Sequence, residues 1–188
     1  MSIRSRGVTL VELIVFIVIV GVAMAGLFAA FNTITAASAD PQVRKQVLAI
    51  AESLMDEVSL LPFTFCDPDD PAAPTAASAA VCTVPANGEE AAMGPEAGET
   101  RYSAATPFDN VSDYHGFSMS SGIQDITNTT ISGLGAYSAS ISVALAGTAL
   151  GLTAHNDALR ISIVVTGPGG VSTTLEGYRT RYAPRTLP

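Results

Sequence analysis

A single carboxylate, Glu12, opens a run of residues that carries no charge from Leu13 to Phe31. An ionised side chain at the edge of such a run is costly unless it meets a cation, takes up a proton or snorkels to the headgroup level of a bilayer. The position therefore marks a functional carboxylate whose partner has to be found. Two further groups of acids are built either to bind or to turn. Asp67, Asp69 and Asp70 interleave with prolines, and Asp109, Asn110 and Asp113 fall between Phe108 and Tyr114. Their oxygens are the hard ligands that calcium takes, and the same residue types stabilise turns and caps through the nearby backbone. Turns and caps are the preferred reading for both groups and no cofactor is expected; calcium is the one ion these residues would admit.

Cys66 and Cys82 are the two cysteines, set in a segment rich in Pro, Ala and Asp. Neither His115 nor His155 has ligand spacing to them, which disfavours zinc. A disulfide formed in an oxidising compartment is the economical reading, and closing such a loop stabilises a fold by about 3 kcal/mol. No catalytic constellation assembles: there is no nucleophile elbow, no phosphate-cradling glycine loop and no histidine pair at metal spacing. The chain is accordingly expected not to be an enzyme; a secreted or membrane-anchored periplasmic enzyme is the alternative from another class. A formal net charge of −8 and a pI near 4.5 exclude a nucleic-acid partner, whose phosphates demand a basic face.

These residues need elements to hold them. The apolar run is long enough, at roughly 1.5 Å per residue, to cross a bilayer core of about 30 Å. Arg4 and Arg6 precede it, which places the short N-terminus on the cytoplasmic side and the remainder across the membrane. Beyond Asp40-Pro41, the residues Val43, Val47, Ile50, Leu54, Val58 and Leu61 recur at helical spacing, with Arg44, Lys45, Glu52, Asp56 and Glu57 on other faces. This amphipathic helix either restarts at Asp40, with Pro41 in its first turn, or continues the apolar helix as a rod of roughly 80 Å. Pro62 ends it. Residues 62–100 have little to bury and read as a loop held by the cysteines.

From Tyr137 the chain turns to strand chemistry. Residues 138–145 alternate small polar with apolar side chains, residues 160–166 follow, and past the turn Gly167-Pro168-Gly169-Gly170 a third strand runs from Val171 to Tyr182. An antiparallel sheet with one face on the helix stripe and a Ser/Thr face in water makes an α+β domain. Ala37-Ser38-Ala39 also offers a conventional cleavage site that would release a soluble domain. The length of the apolar run, the glutamate at its start and the helical continuation beyond it favour retention instead.

The order Arg4, Arg6, Gly7, Val8 and then Thr9-Leu10-Val11-Glu12 ahead of an unbroken apolar helix resembles the type IV prepilin signal. The resemblance implies cleavage after Gly7, the last leader residue, by a membrane peptidase that also methylates Val8, the new N-terminus. It implies that Glu12 acts in assembly, pairing with the amine of Val8 on the same or a neighbouring subunit. Such a head-to-tail contact repeats into an open helical filament, and breaking one side leaves a buried charge uncompensated. Val8 stands where phenylalanine is commonest in that family, which points away from a major pilin.

Phe108 to Gly116, together with Val43-Arg44-Lys45-Gln46, Ile50 to Leu54 and Phe63 to Asp69, is similar to segments of MSHA-type minor pilins. The implied fold is pilin-like. Its layout is a leader over 1–7, a transmembrane and filament-core helix over 8–35, and an amphipathic head helix over 36–61. A disulfide-held loop over 62–100 and the sheet over 101–188 complete it. The implied protein is a minor pilin acting in pilus assembly and adhesion, held in the bacterial inner membrane with its head in the periplasm before it joins the pilus. Its partners would be other pilins through the N-terminal helix, the prepilin peptidase and methyltransferase, and the inner membrane. A type II secretion pseudopilin shares the leader and rod and remains the alternative.

Overall fold

The computed structural model describes residues 7–83 and 93–181, and for residues 33–40 the backbone alone. Arg4 and Arg6, Tyr182 and the side chains of Ala37-Ser38-Ala39 lie outside the described residues. Helix α1 runs Leu10–Leu60 with Pro41 inside it. The chain divides into two compact units, Met1–Gln42 and Val43–Pro188.

In the first unit, Thr9 caps α1: its hydroxyl accepts the Glu12 N–H at 3.3 Å, and its carbonyl accepts the N–H of Leu13 at 3.1 Å. The segment Leu10–Asn32 is apolar and long enough to cross a membrane, and none of it is buried within the chain. Leu10 is 74% exposed and Phe28 66%. Side chains point outward all round, so this surface needs an apolar surrounding on every side.

In the second unit, α1 is one-sided. Val47, Ile50, Ala51, Leu54 and Val58 are buried, at spacings that keep them on one face. They share a core with side chains of an antiparallel sheet of four strands, β1 (Ser118–Met119), β2 (Ser138–Leu145), β3 (Ala158–Thr166) and β4 (Ser172–Thr180), paired in that order. Ile141 lies across from Ile163, and Val143 from Ile161, so the period-two alternation sets apolar pairs directly opposite each other. Each such buried side chain stabilises the fold by about 1.5–3 kcal/mol relative to exposure. Ser140 and Ser142 occupy the outer face. The β3–β4 hairpin closes with Gly169 and Gly170 at positive φ. At its base, a side chain on Gly167 would meet Tyr137, Val43 and Val47 at 3.0 Å or less, so glycine lets the turn lie against the helix.

The structure corrects two expectations. The sheet has a fourth strand, β1, whose Ser118 and Met119 pair with Ser140 and Ala139. The stretch after the helix, read as having little to bury, encloses Phe63, Cys66, Asp67, Asp70, Ala73 and Cys82. Cys66 and Cys82 are joined by a disulfide, with Ala73 packed beside it in a small cluster of its own. Arg181, just past β4, lies between the rings of Phe63 and Phe65, 3.9 and 3.7 Å from their centroids, and fastens the end of the sheet to the start of that loop.

One ion pair ties the helix to the loops that precede the main strands. Arg101, 7% exposed, gives Nε and Nη2 to the two carboxylate oxygens of Glu57 on α1, at 2.6 and 2.8 Å. Its Nη1 donates to the carbonyls of Gln124 and Asp125, and its guanidinium lies over Tyr102 and Phe117. The hydroxyl of Tyr114 donates to Glu57 at 2.6 Å. Burial pushes the Glu57 carboxyl upward, but Arg101 and Tyr114 outweigh it and hold the group below its ordinary value. Arg101→Ala is expected to lower the unfolding free energy by about 3–5 kcal/mol, because Glu57 stays behind without its cation. Adding Glu57→Ala should cost less than the sum of the single changes; denaturant midpoints at unchanged slope read the coupling.

Candidate functional site

Two places concentrate chemistry. At the N-terminus, Gly7 and Val8 precede the first turn of α1; a side chain at Gly7 would touch nothing within 4 Å, and Val8 is 69% exposed. The peptide between them is open to an enzyme. Glu12 lies in the first helical turn, where the unsatisfied N–H groups of the helix end favour a negative charge. No cation among the described residues pairs with its carboxylate. The arrangement offers an exposed Gly7–Val8 junction, a capped helix end, a carboxylate and a fully exposed apolar surface.

In the head, the two groups of acids that the sequence presents separately come together, joined by Glu96 and Glu99. The triads Asp67–Asp69–Asp109 and Asp67–Glu96–Glu99 each bring one carboxylate oxygen per residue within 4.8 Å of the others. Asp67 follows the disulfide-bonded Cys66 and is 1% exposed. Its Oδ1 accepts the N–H of Asp69 at 2.6 Å; its Oδ2 is buried and has no hydrogen-bond partner among the described residues. Asp113 is fully buried in the short 3-10 turn Val111–Tyr114. Its Oδ2 accepts the N–H groups of Asp109 and Asn110 at 2.9 and 2.7 Å, and its Oδ1 is unpartnered. The side-chain amide of Asn110 donates to the Thr64 hydroxyl, which in turn donates to the carbonyl of Cys66.

The turn therefore forms as its residue types suggest, with Phe108 edge-on to Tyr114. Asp70 belongs to neither triad, and its oxygens accept the N–H groups of Ala72 and Thr83. Glu96 and Glu99 carry no local motif that would assign them to this place; a Gly94-Pro95 turn is all that precedes them.

Like charges under partial burial perturb the group. Burial, then the charges of Asp67, Asp113, Glu99 and Asp69, push the Asp109 carboxyl up to about 7. Burial does the same to Asp113, also to about 7, against the two backbone N–H groups that favour its charged form. Glu96 is raised to about 8 by burial, Glu99 and Asp67.

The two histidines have structural partners. His115 Nδ1 accepts the N–H of Val143 at 3.2 Å, and His155 Nδ1 lies 2.9 Å from the Thr148 hydroxyl. A groove of about 260 Å³ lies between α1 and the 123–134 loops, with Glu57 and Arg101 in its wall already committed to each other.

Residues 3–28 match the family described as the prokaryotic N-terminal methylation motif. No curated protein and no solved structure matches the chain. The motif supports a type IV prepilin-like or pseudopilin protein, processed by a prepilin peptidase and assembling with other pilins, in a family whose role is structural rather than catalytic. With the apolar helix it supports anchoring in a membrane.

The raised carboxyls fix the direction of a pH effect. Between the ordinary carboxyl range near 4 and about 7–8, the folded head holds protons that the unfolded chain has released, so stability falls as pH rises through that window. Thermal unfolding of the protein in detergent and metal-free buffer should give a higher Tm at pH 5 than at pH 8. Asp113→Asn should flatten that difference.

Proposed function

We propose that the protein is a minor pilin of an MSHA-type type IV pilus. It is inserted in the inner membrane with its head in the periplasm, cut after Gly7 and methylated on Val8. The observation that carries the reading is the methylation motif running into a capped, wholly exposed apolar helix with Glu12 in its first turn. An apolar surface open on all sides is at home in lipid and equally among copies of the same helix. Glu12 selects between the two. In lipid its charge is expensive, whereas in a bundle the cationic amine of Val8 on a neighbouring subunit satisfies it. The helix then leaves the bilayer for the filament, and the head is carried to the surface. The likeness of residues 108–116 to MSHA-type minor pilins supports the finer assignment. The same stem serves a type II secretion pseudopilin, so deletion separates the two: loss of surface pili supports the pilus, and loss of protein export with pili intact supports the pseudopilus.

Glu12→Ala is expected to leave cleavage at Gly7 and membrane insertion intact while incorporation into filaments drops by about a hundredfold, the equivalent of roughly 3 kcal/mol. Immunoblots of membrane and sheared pilus fractions measure it. Wild-type incorporation of that variant would exclude the pairing.

A further inference from the structure

We propose that the acid cluster of the head is a calcium site that fastens the disulfide-held loop to the turn Val111–Tyr114. Four carboxylate oxygens, Asp67 Oδ2, Asp109 Oδ1, Asp113 Oδ1 and Glu96 Oε2, are buried without a hydrogen-bond partner among the described residues. Two of the side chains that carry them are closed off from solvent: Asp67 is 1% exposed and Asp113 not at all. Asp67, with one oxygen hydrogen-bonded and the other buried and unpartnered, belongs to both triads of converging carboxylates, and Asp109 and Glu96 belong to one each. Orphaned buried acceptors are costly, and several negative ones in one place are more so. Arg101 and Arg160 pair with acids elsewhere, Glu57 and Glu176.

Water supplies donors to such oxygens but leaves their repulsion in place, and a proton shared between Glu96 and a neighbouring carboxylate answers one pair of them; a divalent cation answers the whole group. The donors are all hard oxygens, with the two cysteines joined to each other and His115 engaged by Val143. That selects against zinc and copper. The number of carboxylates, from three separate loops at mixed depth, suits the six to eight flexible oxygen ligands of calcium better than the strict, water-retaining octahedron of magnesium. The ion would link residues 67–69, 96–99 and 109–113 where the disulfide alone holds only the first of them.

The test uses the full-length protein in detergent, stripped with EGTA, with Tm read as calcium or magnesium chloride is added; it does not depend on filament formation. Calcium at about a hundredfold above its Kd should raise Tm by about 5 °C, and magnesium at the same concentration should do clearly less. Asp109→Asn should abolish the calcium response yet unfold in EGTA no earlier than the unsubstituted protein, since it removes repulsion. A merely structural aspartate would instead be destabilised under both conditions. Glu99→Gln, which leaves the capped turn untouched, should lose most of the response if Asp109→Asn does not fold. Glu52→Gln, on the exposed side of α1, should keep it whole. Absence of a calcium response, an equal response to magnesium, or a response unchanged in Asp109→Asn and Glu99→Gln would overturn the site.

Discussion

The head depends on the pairing of Arg101 with Glu57. A helix and a sheet bury their apolar faces against each other without direction, because the hydrophobic effect is non-directional. Two hydrogen bonds from a planar guanidinium to a carboxylate are directional, and they set where the loop after the disulfide meets α1. Tyr114 reaches the same carboxylate, so the turn that carries Asp113 is placed by the same contact. Around it, Tyr102, Phe108, Tyr114 and Phe117 meet at tilted and edge-on angles, which excludes water from one side of the pair and strengthens it.

Against that satisfied pair stands an unsatisfied group in the same half of the head. The Asn110–Thr64 hydrogen bond and the bond from the Val111 N–H to the Pro62 carbonyl hold residues 62–69 and 109–113 together, although the carboxylates they carry repel. Such opposition persists only where the surrounding structure holds it, and buried like charges of this kind are what a cation relieves. The remainder of the loop is ordinary: Asp70 accepts backbone N–H groups and the cysteine cluster is packed by alanines.

Helix α1 meets two solvents. Its first unit presents apolar side chains in every direction, and its second keeps them to a stripe that the sheet covers. The change falls near Pro41, inside the helix. An apolar surface open on all sides suits lipid or other apolar helices, and a one-sided stripe suits a folded core.

What the sequence determined by itself is whatever repeats locally or stands in a short fixed order. The uncharged run after Glu12, the Gly7–Val8 junction, the stripe from Val47 to Val58 and the alternation in β2 and β3 are all written at spacings of one to four residues, the periods of the elements themselves. The cysteine pair was legible by elimination, since the chain has two. The tertiary structure decided what depends on long loops closing. Arg101 finds Glu57 across 44 positions, and β1 is too short to carry a period. The acids of 67–69, 96–99 and 109–113 form one cluster because a disulfide, a capped turn and an ion pair fold three loops onto one point. In sequence each of those acids reads as a turn residue, because the charge that surrounds it comes from elsewhere in the chain.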